Sequence, residues 1–131
     1  MIIMEINAPA MIPWLPSLNL SADGEALLID CARESRPLII GWAGEDFLGF
    51  AGLIPPTFLS GEAYLWFHHA PAVLDHPIAV IRAAKAFVAQ MRQRYPRIIG
   101  HCVSPSSRRL VASFGAKVDG DTFEIMSWPT H

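Results

Sequence analysis

Three titratable side chains flank one short apolar run: Glu62 stands before Ala63-Tyr-Leu-Trp-Phe, and His68 and His69 follow it. Histidine suits proton exchange at neutral pH because its ordinary pKa is about 6.5, and a nearby carboxylate can act as a general base. In a strand the adjacent imidazoles project to opposite faces, so at most one of them faces a given pocket. Each group also has a plainer role. Glu62 follows Ser60-Gly61 and fits a solvated turn charge, while His68 and His69 fit hydrogen-bonded structural histidines. His101 precedes Cys102 in an apolar segment and reads as a satisfied core residue. Ser104 and Ser106 open a helical segment, where hydroxyls serve the backbone before any ligand. No third ligand accompanies His68-His69 at metal spacing, so no metal site is expected. Cys31 and Cys102 stand singly in apolar surroundings and read as buried reduced thiols rather than nucleophiles.

The elements that must hold these groups fit one domain over residues 1–131: the mass is 14.4 kDa, 52% of residues are hydrophobic and 17% charged. No apolar run approaches the ~20 residues that cross a bilayer, and the start lacks the pattern of a secretory signal. No membrane is therefore expected as a partner, and the cytoplasm is the expected location. Residues 1–75 carry two basic and nine acidic side chains, whereas residues 76–131 carry eight and three, against totals of ten and twelve. A basic second half attracts phosphate-bearing ligands or simply solubilises helical faces. Nucleic acid is not the expected partner, because no dense Lys/Arg run or zinc-finger spacing accompanies the charge.

Pro9, Pro13 and Pro16 argue against a long regular element near the start, where Trp14 should pack against something. A helix is expected over residues 23–35, from the capping oxygens at Ser21 to the stop at Pro37. Pro37–Ala43 and Phe47–Ile54 read as a hairpin turned at Gly44, and Ala63–His69 as a third strand. Gly49 and Gly52 inside the second of these imply a bulge or close backbone approach. Ile81, Ala84, Val88, Met91 and Tyr95 mark one face of a helix spanning Asp75–Tyr95, with Asp75 as its cap and Pro77 in its first turn. A strand over Arg97–Val103, a helix from Ser104-Pro105 to Gly115, and a last strand over Thr122–Trp128 complete the chain.

This order of elements over about residues 20–128 resembles the GNAT superfamily of acyl-CoA-dependent N-acyltransferases. The likeness is clearest in Ile98-Ile-Gly-His-Cys-Val-Ser-Pro-Ser-Ser-Arg-Arg-Leu-Val-Ala-Ser-Phe-Gly-Ala-Lys-Val, which is similar to the family's fifth strand and fourth helix. It implies an α/β fold with a GNAT-like mixed central sheet flanked by helices. It also implies that the strands Ala63–His69 and Arg97–Val103 splay apart to admit acyl-pantetheine. Phe67, His68 and His69 would then offer backbone groups, and the start of the long helix would face pyrophosphate.

The sequence departs from the family at several positions. The phosphate loop, Gln/Arg-x-x-Gly-x-Gly/Ala, falls on Leu74-Asp75-His76-Pro77-Ile78-Ala79, of which only Ala79 matches. Pro77 removes an amide donor, and Asp75 places an anion near the phosphates. The family's tyrosine acid corresponds to Val111, and its helix-opening asparagine to Ser104. The resemblance thus implies transfer of an acetyl group from acetyl-CoA to a small-molecule or protein amine. Phe67, His68, His69, Ala79 and Ser104 would touch the cofactor, and Glu62, His68 and His69 would be the candidate proton carriers. A second reading keeps the fold without the chemistry, as a binding or structural module of the kind found among short tailed-phage proteins. Its tryptophans Trp14, Trp42, Trp66 and Trp128 would serve an interface, and either reading allows a homo-oligomer.

Overall fold

The computed structural model describes all residues except 58, 103–104 and 127–131. Its strands are β1 (Ile2–Glu5), β2 (Leu38–Ala43), β3 (Asp46–Ile54), β4 (Ala63–His69), β5 (Arg97–His101), β6 (Lys117–Asp119) and β7 (Thr122–Met126). Its α-helices are α1 (Ala22–Glu34), α2 (Pro77–Arg94) and α3 (Pro105–Ser113). The strands join in one mixed sheet of order β1-β2-β3-β4-β5-β7-β6, in which the β4–β5 register is parallel and those of β1–β2, β2–β3, β5–β7 and β6–β7 are antiparallel. The expected α/β class, with a mixed sheet flanked by helices, is what forms. Among the described residues no helix is long and apolar enough to cross a membrane.

One expectation fails at the start of the chain. Residues Ala8–Leu18 form a 3-10 helix despite their prolines. The spacing is compatible with it: Pro13 and Pro16 lie three apart, so with three residues per turn their missing donors fall in one row. Asn7 caps the start by accepting from the Ala10 amide, and Asn19, at φ 54°, turns the chain out. The long helix also begins later than expected. Asp75 closes a separate 3-10 turn, Pro71–Asp75, and α2 starts at Pro77. The strand at 122 is followed to Met126; Trp128 and Ser104 lie outside the described residues.

The chain divides into two compact units, Met1–Pro55 with Trp66–Pro77 and Pro56–Leu65 with Ile78–His131. In the first, α1 packs on β3 and on the 3-10 helix. Its buried side chains include Met11, Leu15, Leu28, Leu38, Ile40, Phe50 and Leu53. Trp14 does find partners: its ring lies 5.2 Å from Trp42 and 5.3 Å from Phe47, which in turn meets Phe50 at 5.1 Å. In the second unit the core is Ala63, Leu65, Val88, Met91, Ile98, Cys102, Val111, Phe114, Phe123 and Ile125. Both cysteines are free; Cys102 is buried as expected, whereas Cys31 is only half-buried.

Candidate functional site

In the second unit, strand alternation sorts the polar groups onto one face. Ala63, Leu65, Ile98, Phe123 and Ile125 are buried, while the intervening Glu62, Tyr64, Arg97, Ile99, His101, Thr122 and Glu124 are partly or fully exposed. The register brings these together: Tyr64 stands opposite Ile99, Ile99 opposite Glu124, and His101 opposite Thr122. Gly100 lets β5 lie this close to its neighbours, since a Cβ there would strike the Phe123 ring and come within 2.6 Å of the Leu65 carbonyl oxygen.

Two clusters result. Arg97 donates through Nη1 to Glu62 at 3.0 Å, and through Nε and Nη2 to both oxygens of Glu124 at 3.1 Å. The Arg97 hydrogen bond, with its charge, holds the Glu124 carboxyl below the usual carboxylate range. Glu62 is therefore an ion-pair partner rather than an isolated base. The second cluster is a hydrogen bond between the Tyr64 hydroxyl and His101 Nδ1, 2.9 Å long. Here the sequence-based expectation is corrected: His101 is an exposed residue at the end of β5, outside the core. The strand is short enough that its last residue reaches solvent while Ile98 and Cys102 stay covered.

In the first unit, the end of β4 is fixed by backbone. β3 carries one extra residue, for Gly41 faces Gly49 but Trp42 faces Phe47. Leu48 is that bulged residue, and its carbonyl accepts from the Ala70 amide at 2.9 Å. Gly49, at φ +141°, has no room for a side chain, because a Cβ would run into the His68 carbonyl oxygen. Beneath this, the Trp66 indole donates to Ser35 Oγ and Ser35 donates to the Cys31 carbonyl, each at 2.7 Å. Gly52 makes room for that chain, since a Cβ there would lie 2.6 Å from both the Ser35 oxygen and the indole. The two glycines were legible as close-approach positions.

The predicted site residues of β4 thus end in different surroundings. Phe67 is half-buried, and His68 and His69 are exposed. Enough of the His68 ring is covered that desolvation, with the neighbouring His69 adding to it, holds its pKa below 6.5. His69 makes a long contact, 3.4 Å, to the Ala70 carbonyl. Near the start of α2, His76 pairs with Asp46 at 3.0 Å and donates its amide to the Val73 carbonyl. No acidic side chain falls in the first turn of α2, where Ala79 lies half-buried.

Sequence reading missed Tyr64 and Arg97. The parity of Glu62 and Tyr64 in β4, and of Arg97 and His101 in β5, was available, but their pairing needed the register.

No family model matches the chain, and no curated protein matches it in sequence. Solved structures do match over nearly its whole length. A spermidine N-acetyltransferase mutant from Vibrio cholerae has TM-score 0.68 at 12% identity, covering 97% of this chain and 95% of that one. A protein from Desulfovibrio desulfuricans assigned to the GNAT family has TM-score 0.70 at 10% identity, covering 97% and 99%. An aminoglycoside acetyltransferase solved with coenzyme A has TM-score 0.65 at 14% identity, covering 95% and 93%. The chain has the GNAT fold.

Proposed function

We propose that this GNAT-fold chain transfers an acetyl group from acetyl-CoA to an amine, borne by a small molecule or a protein. The observation that carries the reading is the uneven pairing of β5. On one side β5 registers with β7 at five residues, Arg97 to His101; on its parallel side it registers with β4 at Ile98 and Ile99. A strand pairing that stops so early suits an added peptide-like arm such as pantetheine, which can occupy the remaining edge as a strand would.

The start of α2 also fits the cofactor. Asp75 belongs to the preceding 3-10 turn, so the first turn of α2 presents amides from Ile78, Ala79 and Val80 without a carboxylate among them. Pro77 at the first helical position lacks only an N–H that the helix itself leaves unused. When bound, acetyl-CoA supplies the thioester and accepts the C–S electron pair. The chain's part is to hold the amine beside it, and that juxtaposition supplies much of the rate, so valine at position 111 does not prevent catalysis. Free cysteines accord with a reducing cytoplasmic setting.

One observation favours the second reading, a non-catalytic binding module: the His76 amide is turned inward to Val73 and Pro77 has none, so the loop before α2 offers little to a diphosphate. Thermal-shift titration with acetyl-CoA and CoA separates the two. Binding stabilises the fold by about 2.7 kcal/mol at a ligand concentration of 100 Kd. A melting temperature that does not move at millimolar cofactor overturns acetyl transfer and leaves the binding module.

A further inference from the structure

The Tyr64–His101 bond joins side chains 37 residues apart in sequence, with ring centroids 5.8 Å apart and tilted by 50°. It follows from the register. Tyr64 pairs with Ile99, so His101 is the next β5 residue on the same face and lies diagonally within reach of the phenol. The Glu62 and Glu124 carboxylates on that face are held by Arg97. On the neighbouring β6, Lys117 stands opposite Glu124. Among the described residues, Tyr64 is the side chain of this polar face bonded to the His101 ring.

We propose that His101 is the base that takes the proton from the acceptor amine, with Tyr64 as the positioning residue that fixes its tautomer; this rests on the acetyl-transfer reading. With Nδ1–H donating to the tyrosine oxygen, Nε2 keeps its lone pair. Nε2 takes one proton from the ammonium form of the acceptor. The freed nitrogen pair forms the C–N bond while the thioester C–S bond breaks and its electrons stay on sulfur. The second N–H proton, released as the nitrogen becomes an amide, ends on that sulfur. The exposed imidazolium then returns the first proton to water. His68 is the competing histidine; its ring lies 6.4 Å from the Trp66 ring, and among the described residues no hydrogen bond sets its tautomer.

The test has one readout without cofactor and one with it. In the intact protein, nitrogen NMR of His101 shows the Nδ1–H tautomer, and Tyr64→Phe shifts the population toward Nε2–H; an Nε2–H tautomer in the unmodified protein overturns the proposal. In steady-state transfer, His101→Gln lowers kcat about 100-fold with the KM for acetyl-CoA unchanged. Tyr64→Phe lowers it about tenfold, the loss of one hydrogen bond. A kcat retained in His101→Gln, or a larger loss in His68→Gln, overturns the role of His101 and leaves acetyl transfer standing. An unmodified protein that transfers nothing overturns both. Circular dichroism of the variants, with unchanged melting, separates these losses from misfolding.

Discussion

His68-His69 at the end of β4 and His101 at the end of β5 occupy similar places, yet they are held in opposite ways. The first pair is positioned by backbone: the Leu48 bulge, the sterically closed Gly49 and the Trp66–Ser35 bond fix the strand and leave the imidazoles with weak contacts. His101 is positioned through its own ring by the Tyr64 hydroxyl. Backbone support places a residue, whereas a hydrogen bond to the ring also chooses which nitrogen is basic. Of the three, His101 is the one whose ring carries a short side-chain hydrogen bond able to set its tautomer.

The contrast can be broken most strongly at Gly49. Gly49→Ala forces a Cβ onto the His68 carbonyl at a φ that L-residues avoid, and should cost roughly 3 kcal/mol by denaturant unfolding. The resonances of His68 and His69 should move while the His101 tautomer stays. Ser35→Ala comes next. It leaves the buried Trp66 N–H unpaired, which costs about 1–3 kcal/mol in the same assay, and tryptophan fluorescence should report the change.

A smaller effect concerns pH. His68 is held below 6.5 in the folded chain, so the neutral ring is favoured there; its contribution to stability is present above 6.5 and is lost as pH falls through the folded pKa. His69→Gln removes the like-charge part of that shift, and NMR titration should find His68 closer to 6.5. Desolvation, the larger cause, should keep it from returning fully.

The smallest effect is expected at Arg97→Gln. This removes an exposed network whose worth is screened by salt, so the variant should differ from the parent at low ionic strength and approach it at high. The Glu124 carboxyl should then titrate nearer its ordinary range. The folded chain gains from that carboxylate above its unfolded pKa and loses the gain as pH falls through the lowered one. The Tyr64–His101 bond should persist, since Arg97 takes no part in it.

Much of the fold was legible where local chemistry suffices. Ser21 caps α1 by accepting from the Gly24 amide, and the Val88–Met91 side of α2 is buried as its spacing required. The strand Ala63–His69 has the expected bounds, and so does the turn at Gly44, which has φ +60°. β1 was not legible, because Ile2–Glu5 shows no burial alternation and is a strand only through its ladder to β2. The three-residue β6 likewise exists through its pairing with β7.

Turn residues, caps and apolar spacing act over a few neighbours, so the amino-acid sequence alone settled most elements and the parity of each strand's side chains. Which strand lies beside which, and in what register, depends on contacts between residues far apart in the chain. That choice alone put Tyr64 on His101 and Arg97 between Glu62 and Glu124. Loop closure and core packing select one register over its neighbours, and a shift of one residue would turn every one of these groups to the other face.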